Sequence, residues 1–313
     1  MNDMFVVCGE ALMDVYVLGT TPTGLQLDAR VGGSPFNVAV GLSRLGRRAA
    51  LLTGLSRDAA GERLMHTLSA EHVDTHLVVR SDAPTTLSVV SVDAAGVPHY
   101  AFYGQGTADR AIDDDSLPAL PPEVRVLQFG SYALVVEPVG SALRSLAARE
   151  HDRCLVAYDP NVRLNVEPDL GRWRTTVEAM AALSHIVKVS DEDLGLLYPD
   201  SAPAEVARRW LSLGVRLVVL TRGARGSEAW TPCQHVAEAA APVDVVDTVG
   251  AGDTFQAALL TWLDEEQLLS IAELEALDTQ RLAELLRFAG RAAAITCSRR
   301  GADMPRRKEL PGN

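Results

Sequence analysis

The sequence is short of positive charge: 29 Lys and Arg stand against 41 Asp and Glu, a net −12 over 313 residues. A net acidic chain with no Lys/Arg-rich block lacks the electrostatic footprint that nucleic-acid binding requires. It also lacks any apolar run near the roughly 20 residues of a membrane-spanning helix, so no membrane partner is expected. Met1-Asn2-Asp3-Met4 carries no basic stretch ahead of its apolar strand, which argues against a signal peptide. The four cysteines (Cys8, Cys154, Cys233 and Cys297) are far apart in apolar runs. They read as buried thiols of a reducing compartment, and a cytoplasmic location is expected. No Cys-x-x-Cys, His-Glu-x-x-His or Gly-x-Ser-x-Gly occurs, nor any Gly-x-x-x-x-Gly-Lys-[Ser/Thr] loop. His72 and His76 lead into a strand rather than sharing a helix face, which leaves zinc without support. Internal repeats and low-complexity segments are absent.

What is present is an alternation of short β-rich runs with amphipathic helices. Strands are expected at Phe5 to Cys8, Ala49 to Thr53, Val124 to Phe129, Cys154 to Tyr158, His185 to Val189 and Leu217 to Leu220. Helices are expected at Pro35 to Leu45, closed by Gly46, and at Ala60 to Ala70. Short apolar runs without alternation suit strands buried on both faces, hence a doubly wound, mainly parallel α/β core with ligands at the strands' carboxyl ends. Two stretches break the pattern, Asp14 to Val31 and Thr86 to Tyr103, the second turning at Asp93-Ala94-Ala95-Gly96. Each reads as a hairpin, and the pair forms either a small β lid over one end of the sheet or ordinary surface hairpins. The polar tail from Asp303, with its two prolines, is expected to fray.

Five polar clusters fall at strand ends or helix starts. Asp247-Thr248-Val249-Gly250-Ala251-Gly252-Asp253 leads into an apolar helix. Small residues there let backbone N–H groups converge on an anion, and Asp253 would stand beside it as a proton acceptor for an attacking hydroxyl. The plainer reading is a tight turn with an aspartate compensating the helix dipole. The missing third glycine, with Phe255 following, removes a dinucleotide fingerprint. In Gly32-Gly33-Ser34-Pro35-Phe36-Asn37, Ser34 as N-cap and Pro35 in the first turn explain the helix start. The glycines and Asn37 either admit a ligand's hydroxyls to the backbone or serve the turn. Asp159-Pro160-Asn161-Val162-Arg163 follows a third strand, and Lys188 to Asp193 straddles a fourth, with Ser190 and Asp193 readable as a cap pair. Thr221-Arg222-Gly223-Ala224-Arg225-Gly226 offers two arginines that suit a polyphosphate.

From Gly9-Glu10 to about Gly301-Ala302 the chain resembles the ribokinase/PfkB family of sugar kinases, and its fructokinase-like members in particular. The Gly32-Gly33…Asn37 segment looks like the family's first signature and Asp247 to Leu260 like its second. The resemblance implies a three-layer α/β/α sandwich over residues 1–313 as one kinase domain, with lid hairpins at about 14–31 and 86–103. It implies transfer of the γ-phosphate of Mg-ATP to a primary hydroxyl of a neutral sugar, fructose first. A riboside or 2-keto-3-deoxygluconate stands as alternative acceptor, and a silent sugar- or nucleotide-binding protein as alternative role. By resemblance Asp14, Gly32, Gly33, Asn37, Phe102, Tyr103 and Arg163 would meet the sugar. Gly250, Ala251 and Gly252 would form the anion hole for catalysis by Asp253, while Lys188, Ser190, Thr221, Gly223 and Gly226 would lie along ATP. Asp247, Val249, Ser298 and Gly301 would hold a monovalent cation such as K+, and a homodimer would form through the lid. Many members carry Asn-x-x-Glu where Ser190-x-x-Asp193 stands here, and an asparagine near adenine where Gly290 stands. Related kinases of keto-sugar acids place an arginine directly after a lid tyrosine; Gly104 and Gln105 follow Tyr103 here, so the lid offers no cation at that point and a neutral sugar is favoured.

Overall fold

The computed structural model describes residues 3–92 and 98–310; the expected turn at Asp93 to Gly96 lies outside them. Strands in chain order are β1 (Met4–Cys8), β2 (Leu12–Thr21), β3 (Gly24–Gly32), β4 (Arg48–Ser56), β5 (Val78–Ser81), β6 (Leu87–Val92), β7 (Pro98–Tyr103), β8 (Val124–Gly130), β9 (Leu155–Asp159), β10 (Ile186–Ser190), β11 (Leu217–Thr221), β12 (Ser227–Trp230) and β13 (His235–Glu238). Helices are α1 (Ser34–Arg44), α2 (Ala59–Ala70), α3 (Val139–Glu150), α4 (Leu170–Leu183), α5 (Asp191–Leu197), α6 (Pro203–Leu213), α7 (Ala251–Glu265), α8 (Ile271–Glu275) and α9 (Thr279–Cys297).

Nine strands form one sheet in the order β13-β12-β11-β10-β9-β8-β1-β4-β5, parallel from β11 to β5 and closed by an antiparallel edge of β12 and β13. Because successive strand residues point to opposite faces, Phe5 and Val7 enter a core shared with α1, α2, α7, α8 and α9, while Met4, Val6 and Cys8 enter a second core under α3, α4, α5 and α6. Every β1 side chain is buried, which is why that strand reads as an unbroken apolar run. The result is an α/β/α sandwich. Both expected hairpins join a separate four-stranded sheet, β3-β2-β6-β7, with β2 and β6 parallel at its centre.

Two expectations give way. The tail from Asp303 does not fray within the described residues: Met304 is 2% exposed, Leu310 is 5% exposed, and Arg44 donates to both Asp303 Oδ1 and the Met304 carbonyl at 2.8 Å. Ser34 is not the N-cap of α1. Gly33 takes that position at φ 104°, and Ser34 is the first helical residue.

Candidate functional site

The carboxyl ends of β1, β9, β10 and β11 and the N-termini of α1 and α7 meet at one place. Asp253 stands in the first turn of α7 behind Gly250, which caps the helix in the left-handed region at φ 78°. A side chain at Gly250 would collide with Ala302, its Cβ falling 2.6 Å from the Ala302 Cβ, so the turn demands glycine. Asp253 Oδ1 accepts from Ser34 Oγ at 2.6 Å, and Oδ2 accepts from Asn37 Nδ2 at 2.8 Å. Ser34 and Asn37, three apart, share one face of α1, so the hydroxyl read as a cap is spent on orienting the aspartate. Burial raises the Asp253 carboxyl above its ordinary range; the Ser34 and Asn37 hydrogen bonds, then the nearby Lys188 charge, pull it partly back.

The anion site differs in detail from expectation. The Ala251 N–H donates to the Thr248 carbonyl at 3.2 Å, so it is not free to face an anion. Gly252 and Asp253 keep their N–H groups without a backbone partner among the described residues. Lys188 adds the cation: a Cβ on Gly252 would lie 3.3 Å from its Nζ. That ammonium pairs with Asp159 Oδ2 at 2.6 Å, both side chains 4% exposed. Arg222 and Arg225, the arginines read as suited to polyphosphate, are instead paired with Glu228 and Asp191.

Ser190 and Thr221 end neighbouring strands in register. Ser190 Oγ caps α5 by accepting from the Asp193 N–H at 3.0 Å, and Asp193 Oδ1 accepts from the Val162 N–H at 3.1 Å. Asp193 is raised by burial and next by the Asp159 charge. Asp159 Oδ1 is buried with no partner among the described residues. Gly223 opens a short 3-10 turn, whereas Gly226, at φ 89°, packs against the Glu238 carbonyl, 2.0 Å from where its Cβ would be.

On the lid side, Asp14, Ser88 and Phe102 are cross-strand neighbours and share one face. Burial raises the Asp14 carboxyl, opposed by Ser88 and Arg163. Gly32 makes room for it, since a Cβ there would lie 2.3 Å from Asp14 Oδ2; at Gly33 a Cβ would lie 2.8 Å from the Glu10 carbonyl. The two glycines thus accommodate protein atoms. Tyr103 is a correction: adjacent strand residues face opposite ways, and Tyr103, 61% exposed, turns away from the face carrying Phe102 and Asp14. From outside the lid strands, the Arg110 guanidinium occupies the space in front of Gly104.

Asp247 accepts from the Val249 N–H at 3.1 Å and the Gly301 N–H at 2.8 Å, tying the loop before α7 to the loop after α9. Those bonds hold its carboxyl below the ordinary range despite partial burial. Sequence reasoning missed Ser34 as a partner of Asp253, the Lys188–Asp159 pair and Arg110. Only Ser34 left a local signal, its spacing from Asn37.

Residues 2–309 match the family described as pfkB family carbohydrate kinase. Over 279 residues the chain is 38% identical to the fructokinase of Rhizobium leguminosarum bv. trifolii, covering 89% of this chain and 85% of that protein. It superposes on the crystal structure of a fructokinase from Vibrio cholerae O395, in a fructose-, ADP- and calcium-bound form, with TM-score 0.79 at 25% identity, covering 96% of this chain and 94% of that one. A fructokinase from Xylella fastidiosa with bound ATP shares the fold at TM-score 0.86 and 24% identity, covering 99% of this chain and 96% of that one.

Proposed function

This chain belongs to the pfkB family of carbohydrate kinases, and from that premise we propose that it is a fructokinase, moving the γ-phosphate of ATP to a primary hydroxyl of fructose. The observation that carries the chemistry is Asp253, held by Ser34 and Asn37 at the N-terminus of α7 beside Lys188. A sugar hydroxyl presented to Asp253 loses its proton to the carboxylate as its oxygen attacks the γ-phosphorus, the bond from that phosphorus to the bridging oxygen breaks and ADP leaves. The Gly252 and Asp253 N–H groups, the α7 dipole and Lys188 oppose the charge that builds on the phosphoryl oxygens. Phosphoryl transfer asks chiefly for positioning and charge stabilisation, and both are built in here.

Asp14, Asn37 and Arg163 bind the sugar in this reading, and Ser190, Thr221 and Gly223 lie along the nucleotide. Magnesium arrives with ATP; the unpartnered Asp159 Oδ1 and the Asp193 carboxyl are hard oxygen donors suited to it. Asp247, with the Val249, Ser298 and Gly301 backbone, is the place for potassium. A second copy of the chain would cover the apolar outer face of the lid, where Leu27 and Tyr103 stand exposed.

The test is ADP release, coupled to a reporter enzyme, over a panel of sugars with saturating Mg-ATP. Fructose should give the highest kcat/KM, above 2-keto-3-deoxygluconate and a riboside. A higher value for the acid or the riboside would overturn the assignment of fructose while leaving the kinase.

A further inference from the structure

Tyr132 anchors a cluster that phosphoryl transfer leaves unused. Its buried hydroxyl donates to Asp109 Oδ2 at 2.9 Å, and its ring meets the lid residue Phe102 edge-on with centroids 5.3 Å apart. The Arg110 guanidinium lies 5.5 Å from the centre of each ring. Arg110 Nε is buried without an acceptor, and among the described residues the guanidinium pairs with no carboxylate. A Cβ on Gly104 would lie 2.8 Å from Arg110 Nη2, so the charge fills the space the glycine leaves in front of the lid. Two aromatic faces return only part of what a half-buried guanidinium loses in hydration.

Glu10 completes the cluster. It stands just beyond β1, after Gly9, is 1% exposed, and its Oε2 has no partner among the described residues. Burial pushes its carboxyl up to about 8, with Asp109 adding to the rise and Ser131 and Arg163 opposing it. Burial thus favours the protonated acid at Glu10, a form that can donate as well as accept. Buried polar groups left without partners are costly, and Glu10 Oε2 and Arg110 Nε are two of them among the described residues. Phe102 shares its lid face with Asp14, whose carboxyl feels the charge of Asp253. The cluster thus bounds the same cleft as Asp253, on the lid side.

We propose that Glu10 and Arg110 form a subsite for the hydroxyls at the end of the sugar remote from the phosphorylated one, with Phe102 as its wall. This deepens the kinase reading and rests on it. A vicinal polyol accepts from the guanidinium and exchanges hydrogen bonds with the Glu10 acid. A carboxylate in the same place would meet the negative charges of Asp109 and Asp14, so the subsite selects neutral sugars despite its arginine.

Arg110→Met keeps the length of the side chain and removes its donors. The kinetics of both proteins are to be compared on fructose and on the deoxy analogue that lacks the remote terminal hydroxyl. The unaltered enzyme should lose roughly 10- to 100-fold in kcat/KM on the analogue, the span for a hydrogen bond to a charged group. Arg110→Met should lose a similar factor on fructose, mostly through KM, and show little further penalty on the analogue. An analogue penalty undiminished in Arg110→Met would overturn the subsite and make Arg110 a prop for Phe102, with kinase activity intact. Failure of the unaltered enzyme to phosphorylate any sugar would overturn the kinase reading and the subsite with it.

Discussion

Asn37 Nδ2 donates to Asp253 Oδ2 at 2.8 Å across 216 residues of sequence. That contact joins the first turn of α1 to the first turn of α7, and the Ser34 hydroxyl reinforces it on the other carboxylate oxygen at 2.6 Å. A carboxylate restrained on both oxygens loses rotamer freedom before substrate arrives, which is the entropy a general base must otherwise give up in the transition state.

Replacing Asp253 with Asn should lower kcat by at least ~100-fold, the lower end for loss of a general base, with the KM for ATP little changed. Turnover close to that of the unaltered enzyme in a clean preparation would dismiss the base. The pH profile is a second check. Asp253 must be ionised to accept a proton, and burial raises its pKa. Activity should therefore fall, as pH drops, above the ordinary carboxylate range near 4. Ser34→Ala removes a bond to the charged form, so the acid limb of kcat should move to still higher pH.

Potassium should raise kcat with little effect on either KM. Asp247 ties the loop that ends at Gly250 to the loop holding Gly301, so a cation bound there would order the Gly252 and Asp253 N–H groups without touching substrate. Equal rates in potassium and in a bulky organic-cation buffer would remove this role. Asp247→Ala should abolish the response while the fold persists.

Much of this arrangement is legible in the sequence because the central strands are buried on both faces and flanked by glycine-rich turns. The strand-end clusters at Asp159, Lys188 and Thr221 follow from that alone, and the glycines before α7 mark the helix start that carries Asp253. What escapes is whatever depends on a partner distant in sequence. Ser34 looks like a cap until Asp253 is seen beside it. Arg222 and Arg225 look free until Glu228 and Asp191 are placed. Arg110, in an ordinary polar stretch, reaches Gly104 only because the chain folds back through Thr107, whose hydroxyl donates to the Gly104 carbonyl. The four-residue strands β12 and β13 are too short for periodicity to register.

The lid supplies a third prediction. Leu27, cross-strand from Val17, stands 53% exposed on the face that also carries Tyr103. Leu27→Glu should leave the stability of the unaltered chain within about 0.5 kcal/mol, as for other surface changes. It should also shift sedimentation from dimer to monomer. A monomeric unaltered protein at micromolar concentration would remove the proposed dimer.

His185 sets an acid limit on stability from the opposite end of the sheet. Its Nδ1 accepts from the Val156 N–H at 3.0 Å and so must be unprotonated, while Nε2 is buried without a partner among the described residues. Its ring stacks on His151 with centroids 5.2 Å apart and planes 7° from parallel. Burial foremost, then the His151 and Arg216 charges, lower its pKa to about 4, with Asp152 acting weakly the other way. A histidine of an unfolded chain titrates near 6.5. The unfolded state therefore takes up a proton first as pH falls. The stabilisation is complete above about 6.5 and is lost progressively down to the folded value. Melting temperature should decline from pH 7 to 4.5, with one histidine contributing at most about 1.4 kcal/mol per pH unit. His185→Gln, which cannot titrate, should be less stable at pH 7.5, because the Val156 N–H loses a well-aimed acceptor. Its decline over the same window should nonetheless be shallower, since the differential proton uptake is gone. Parallel curves for the two proteins would show that His185 is not the group responsible.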